Sequence, residues 1–131
     1  MAIRDDILAN VTTALTGSNV SVSSELPWSS GDVPLYQKNM KKFYLSEASQ
    51  EITPLQATLG SDDVYQTESI LTGYITVDAK NQPGDINTII SGVLNSKNSV
   101  VNQFRRECLG STEIEDDRIT YIFEYRFVKV N

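Results

Sequence analysis

The sequence predicts an α+β domain in which a mostly antiparallel sheet carries two helices packed on one face. Two stretches, 3–16 and 86–96, have apolar residues at the spacing of an amphipathic helix. Other stretches alternate apolar and polar residues, and the longest are 64–78 and 118–130. The strands are gathered between and after the helices, which favours antiparallel pairing. With 131 residues, the chain is expected to form a single domain over 1–131.

The predicted first helix, 3–16, has one apolar stripe and recognisable signals at both ends. Asp5 and Asp6 lie in its first turn, where the helix dipole favours acidic side chains. Gly17 follows the last turn and tolerates the positive φ at which many helices end. The stripe consists of Ile3, Ile7, Leu8, Val11 and Leu15.

The next part of the chain is predicted to hold three strands and a long loop. A short strand is expected at 19–25, and a loop without hydrophobic period follows over 26–40. Further strands are expected at 41–48 and 51–59. Because proline donates no hydrogen bond to a ladder, Pro54 makes the latter segment an edge strand or breaks it.

The longest predicted strand, 64–78, has two distinct faces, and the second helix follows it. Leu71, Gly73, Ile75 and Val77 share one face of that strand. Asp85 is a good N-cap for the helix over 86–96. The apolar stripe of this helix consists of Ile86, Ile89, Ile90, Val93 and Leu94.

A C-terminal hairpin is predicted to complete the sheet. Residues 97–106 are compatible with a short helical turn before it, around Val100, Val101 and Phe104. The hairpin consists of a weak strand at 107–114, an acidic turn at 115–117 and a strong strand at 118–130. Alternating aromatic residues mark the last strand, and they are Tyr121, Phe123, Tyr125 and Phe127.

The composition excludes several kinds of chemistry. The chain has 17 acidic and 11 basic residues, a formal net charge of −6 and no histidine. A Ser-His-Asp triad and a histidine-ligated zinc are therefore impossible. Cys108 is the only cysteine, so no intrachain disulfide forms, and we expect it to be a small buried hydrophobe. No phosphate-binding glycine motif occurs. Together with the missing histidine, this leaves no predicted catalytic residue, cofactor or metal. The chain is therefore not expected to be an enzyme.

Compartment and bulk charge lead to two further expectations. Asp5 and Asp6 stand where a signal peptide needs basic residues, and no stretch approaches the roughly 18 apolar residues of a membrane helix. We therefore expect a protein used in a reducing cytoplasm, without a membrane partner. Direct nucleic-acid binding is not expected either, because it depends on basic side chains neutralising phosphates.

Aromatic and basic residues around the long loop are candidate contacts with other subunits. They are Trp28, Tyr36, Lys38, Lys41 and Lys42, with Phe43 and Tyr44 beside them. Trp28 either covers the core or anchors an interface, as tryptophan often does. The lysines and aromatics together could bind a single-stranded nucleic acid. Alternatively the lysines make a subunit contact or protect an edge strand, and the net charge of −6 favours this interpretation.

Two acidic clusters lie in predicted turns. The first is Asp62 and Asp63, and the second is Glu113, Glu115, Asp116 and Asp117. Solvated acids are ordinary in turns, and neither cluster has the spacing of a calcium loop. A carboxylate pair that performs acid–base chemistry or holds a hard metal ion is a weaker alternative. A third interpretation is an electrostatic contact with a partner subunit, made by Asp62, Asp63, Glu115, Asp116 and Asp117.

The order of elements resembles that of the tail terminator proteins of long-tailed bacteriophages, which include the lambda-like minor tail protein that caps the tail tube. An amphipathic helix begins with the residues 3–8. A strand ending in 73–78 leads into the Gln-Pro-Gly-Asp loop at 82–85. The aromatic strand begins with 117–125. The likeness is one of pattern and order, and it spans nearly the whole chain.

The resemblance implies a non-enzymatic virion protein at the head-proximal end of the tail, assembled in the host cytoplasm. Such proteins form a homo-hexameric ring on the tail-tube protein, stop its polymerisation and offer a surface to the head–tail connector protein. The loop at 26–40 and the turns at 60–63, 79–84 and 115–117 are then the expected contact elements. The alternatives are a head–tail joining, neck or tube-related subunit and, from a different class, a small binding module.

Overall fold

The computed structural model describes residues 3–18, 20–23, 41–56, 64–80, 82–115 and 118–130, and the predicted loop over 26–40 lies outside them. Within these residues four of the five strand pairs are antiparallel, which confirms the predicted α+β class. The elements in chain order are α1 (Ile3–Ala14), β1 (Ser21–Ser23), β2 (Lys42–Leu45), β3 (Ser49–Gln56), β4 (Val64–Asp78), α2 (Ile86–Asn95), a 3-10 helix (Ser96–Ser99), β5 (Arg105–Glu115) and β6 (Arg118–Val130).

The centre of the sheet is the long antiparallel pair of β4 and β6. Their register runs unbroken from Gln66 opposite Val130 to Asp78 opposite Arg118. β2 and β3 follow one another along the other side of β4, and β1 lies parallel to β2 outside them. β5 pairs with the free side of β6. Pro54 lies in β3, whose only described partner is β4, so the predicted edge position is confirmed.

The hydrophobic core lies between the two helices and one face of the sheet, as predicted. α1 contributes Ile7 and Val11, and α2 contributes Ile89 and Val93. The aliphatic and aromatic residues that the sheet adds are Phe43, Leu45, Leu71, Ile75, Val77, Phe123, Tyr125 and Phe127. Because β4 and β6 bury alternate residues, the period of two seen in their sequences is confirmed.

Gly73 allows the ring of Phe43 to pack directly against the backbone of β4. Gly73 lies under the ring of Phe43, and a Cβ at this position would be 2.7 Å from two ring carbons. Phe43 is fully buried and packs against Phe123 with ring centroids 6.4 Å apart. Only a residue without a side chain fits between β4 and this ring.

The helix ends confirm one predicted cap and correct another. Gly17 has φ +84°, the left-handed conformation expected at the end of α1. Asp85 stands before α2, but its side chain forms no capping hydrogen bond. Its φ of −101° and ψ of 22° differ from the extended conformation that directs a capping side chain at the helix amides. Instead the Asp85 carbonyl accepts a hydrogen bond from the Ile89 amide at 3.0 Å.

The boundaries of the shorter elements differ from those predicted. The strand expected at 41–48 ends at Leu45, because the Ser46 hydroxyl accepts the hydrogen bond of the Thr72 amide at 2.9 Å and the chain then leaves the ladder. β3 begins at Ser49, two residues earlier than expected. The helical turn predicted around Val100, Val101 and Phe104 is wrong in place: the 3-10 helix ends at Ser99, and Val100 is extended. Asn102 then has φ +60°, and β5 begins at Arg105.

Candidate functional site

The described part of the predicted basic cluster lies at a corner of the sheet. Lys41 has φ +61°, and its amide donates to the Thr76 carbonyl at 2.8 Å. Its own carbonyl accepts from the Ser21 amide at 3.1 Å, so the backbone of Lys41 links β1 to β4. Both Lys41 and Lys42 have partly exposed side chains. Phe43, which follows them, is fully buried and cannot stack with a nucleic-acid base.

Most of the other predicted contacts lie outside the described residues and remain predictions. They are Trp28, Tyr36, Lys38, Asp62, Asp63, Asp116 and Asp117. Glu115 is described by its backbone, which pairs with Arg118 at the tip of the hairpin formed by β5 and β6. Glu113 lies two residues earlier and is exposed. The structure therefore places part of the second acidic cluster at the end of an edge strand.

The face of the sheet opposite the core, here called the open face, is covered by none of the described elements. Tyr44 and Tyr74 lie there on adjacent strands with stacked rings, at a centroid distance of 6.4 Å and an interplanar angle of 21°. Ile122 is the neighbour of Tyr74 on β6. Thr76 and Thr120 share a buried hydrogen bond of 3.1 Å. This face is therefore of mixed polarity and only partly exposed, because Thr76 is fully buried and Tyr44, Tyr74 and Ile122 are half-buried.

A tight ion pair adds charge to the open face. The Arg126 Nε donates to the Glu124 Oε1 at 2.6 Å, and both side chains remain about two-fifths exposed. This hydrogen bond raises the pKa of Arg126, with smaller contributions from the charges of Glu124, Glu68 and Glu107. The guanidinium is charged at any physiological pH, so Arg126 keeps its positive charge beside Glu124 on this face.

The edge formed by β5 carries two exposed apolar side chains, and a third directly precedes it. Leu109 is 61% exposed and Ile114 is 70% exposed, although both lie in a regular strand. Phe104, directly before the strand, is 75% exposed, and its amide donates to the Val128 carbonyl at 2.7 Å. Sequence periodicity did not reveal this surface, because β5 has the weakest alternation of the long strands.

The cysteine is half-buried against the core, which is less buried than predicted. Cys108 lies opposite Tyr125 on β6. Burial raises the pKa of its thiol to about 12, against smaller lowering effects of the Lys97 charge and a hydrogen bond with Tyr125. Burial also raises the pKa of Tyr125, whose hydroxyl donates to the Val93 carbonyl at 2.8 Å. The thiol is thus protonated at neutral pH and is a poor nucleophile.

A shallow concavity of about 630 Å³ lies beside the start of α1. Its lining includes Ile3, Arg4, Gln50, Ile52 and Lys129. Arg4 donates hydrogen bonds to the Leu45 and Ser46 carbonyls at 2.9 and 3.2 Å. The guanidinium therefore provides hydrogen-bond donors to the backbone carbonyls at the point where the chain leaves β2.

Neither a protein-family model nor a curated protein matches this chain. Among the residues whose positions are described, no group of three or more acidic or cysteine side chains is arranged to hold a metal ion. In the same part of the chain no helix is both long and apolar enough to cross a membrane. The features that remain as candidates for function are the open face and the β5 edge.

Proposed function

We propose that this protein is a structural assembly subunit of a bacteriophage particle, a tail terminator that forms a ring, caps the tail tube and offers a joining surface to the head. The observation that carries the proposal is the exposed β5 edge, where Phe104, Leu109 and Ile114 are each more than three-fifths exposed. A long edge strand leaves backbone donors and acceptors unpaired and is a ready template for binding another protein chain. The order of elements that resembles the terminator proteins supports the same proposal.

The geometry suits a subunit with several separate contacts. A closed ring needs two complementary flanks on each subunit, and a cap needs two different axial surfaces as well. Among the described strands, the sheet ends in β1 and β3 on one side and in β5 on the other. The open face and the hairpin tip next to Glu115 are further surfaces that point in other directions. One domain of this size therefore has room for lateral and axial partners.

The first experiment measures the mass of the protein in solution and its action on tubes. We expect size-exclusion chromatography with light scattering to show a ring-sized oligomer, either alone or after purified tail tubes are added. Tubes that polymerise in the presence of the protein should stop growing and carry it at one end. A protein that stays monomeric and leaves tube length unchanged would refute the proposal. A protein that does not bind tail tubes but binds the connector would instead be a joining or neck subunit.

A further inference from the structure

We infer that β5 pairs with the β5 strand of a second copy of this chain, antiparallel and around a twofold axis at Leu109. The two sheets then become one continuous sheet that crosses the subunit boundary. This inference goes beyond the proposed function, because a twofold contact occupies the β5 edge of both copies and does not close a ring. The lateral flanks of a ring would then lie on other surfaces of the subunit.

The edge of β5 is well suited to strand addition. β5 has eleven residues, and its register with β6 runs without a bulge from Arg105 opposite Val128 to Glu115 opposite Arg118. Such a strand presents regularly spaced backbone donors and acceptors on its outer side. β3 is a poorer edge because it contains Pro54 and an irregularity next to it. β1 has only three residues.

The charge pattern of β5 selects the antiparallel direction. The strand begins with Arg105, on the same face as Glu113 and Glu115 near its end. Arg106 lies on the other face and donates to the Val100 carbonyl at 3.1 Å. In a parallel pair, like charges of the two copies would lie side by side and repel. In an antiparallel pair, the basic start of each strand faces the acidic end of the other. The strand is therefore complementary to itself, as a twofold interface requires.

Among antiparallel registers, the one centred on Leu109 matches the side chains best. It places Arg105 opposite Glu113 twice, once on each side of the axis. It also places Leu109 opposite Leu109, and Phe104 opposite Ile114 when the register continues one residue beyond the strand. Opposite charges and apolar pairs directly across from each other are the pairs that stabilise a sheet.

The neighbouring registers are less favourable. A pair centred on Gly110 sets Glu107 opposite Glu113, which brings two carboxylates together on both sides of the axis. A pair centred on Cys108 sets Glu107 opposite Leu109 and leaves Arg105 opposite Ser111. Only the register centred on Leu109 gives an apolar partner to each of the three exposed residues, which are Phe104 (75%), Leu109 (61%) and Ile114 (70%).

Charge reversal tests the pairing by light scattering. In the Arg105→Glu variant, a carboxylate faces Glu113 of the second copy at both ends, and we expect the dissociation constant of the pair to rise at least about fivefold. The double variant Arg105→Glu with Glu113→Arg exchanges the two charges and should restore the parent affinity. Ile52→Lys is the matched control, because Ile52 is 65% exposed on the opposite edge of the sheet. Circular dichroism checks that each variant is folded.

Cross-linking tests the register. Under mild oxidation the Leu109→Cys variant should give a covalent dimer, since the two introduced thiols face each other across the axis. Ser111→Cys should not, because Ser111 faces Glu107 of the second copy. Equal cross-linking of both variants, or a parent protein whose oligomers are unaffected by Arg105→Glu, would overturn the inference. A six-membered ring that survives Arg105→Glu would refute this pairing alone, whereas a pair that never caps a tube would refute only the proposed function.

Discussion

Gly73→Ala is expected to destabilise the protein, because the added methyl group overlaps with the ring of Phe43. A Cβ at position 73 would be 2.7 Å from two ring carbons, closer than any ordinary carbon contact. Phe43 has no exposed surface and packs on Phe123, so it cannot swing away freely. Overpacking of this kind costs about 1–3 kcal/mol, whereas alanine in place of glycine in a strand recovers about 0.5–1 kcal/mol. The net loss should be about 1–2 kcal/mol.

Gly110 is a matched control for Gly73, because the two glycines flank Phe123 on the neighbouring strands. Gly110 and Gly73 are both direct cross-strand partners of Phe123. A Cβ at Gly110 would be 3.5 Å from a Leu94 methyl, which is ordinary van der Waals contact. Gly110→Ala should therefore be neutral or stabilise the protein by up to about 1 kcal/mol.

Urea unfolding measures both variants. For Gly73→Ala the midpoint should fall by about 0.5–1 M at an unchanged slope, since the slope depends on the surface exposed on unfolding. For Gly110→Ala the midpoint should stay or rise. If the two variants shifted the midpoint equally, or if Gly73→Ala unfolded later than the parent protein, the close approach of β4 to Phe43 would be wrong.

Four other predictions concern individual polar groups. Tyr125→Phe removes the buried hydrogen bond to the Val93 carbonyl and should cost about 1 kcal/mol of unfolding free energy, measured with urea. Arg4→Met leaves two carbonyls at the end of β2 without their donor and should cost about 1–2 kcal/mol. Glu47→Ala, which removes a 3.9 Å contact to Arg4 by a side chain that is 88% exposed, should change stability little. Because burial raises the pKa of Cys108 from 9.0 to about 12, the unfolded thiol ionises first, so the contribution of Cys108 to stability should be constant below pH 9 and be lost between pH 9 and 12. A Cys108→Ala variant should lack this part of the pH dependence. Alkylation of the native thiol at pH 8 should be correspondingly slow, and rapid alkylation without unfolding would contradict the burial of Cys108.

Residue types alone predict some of the candidate contacts but not their backbone geometry. Lys41 and Lys42 are partly exposed, as a contact requires, but the positive φ of Lys41 and its role in joining β1 to β4 depend on strands far away in the sequence. The sequence predicts contacts at charged turns, because charged residues in turns are expected to be exposed. The exposed apolar edge at Phe104, Leu109 and Ile114 was overlooked, because an apolar residue has the same appearance in a sequence whether it is buried or exposed.

Local periodicity by itself determined the two helices, the long strands β4 and β6, and the faces that they bury. These patterns repeat every 3.6 or 2 residues, so a short window contains the whole signal. Only the tertiary structure decided the order of the strands, with β2 and β3 end to end on one side of β4 and β5 left as an edge. It also decided that Gly73 lies beneath Phe43 and that Arg4 binds carbonyls more than forty residues away. Each of these features depends on which distant backbones pair, and that is settled by the packing of the whole core rather than by any single stretch of the chain.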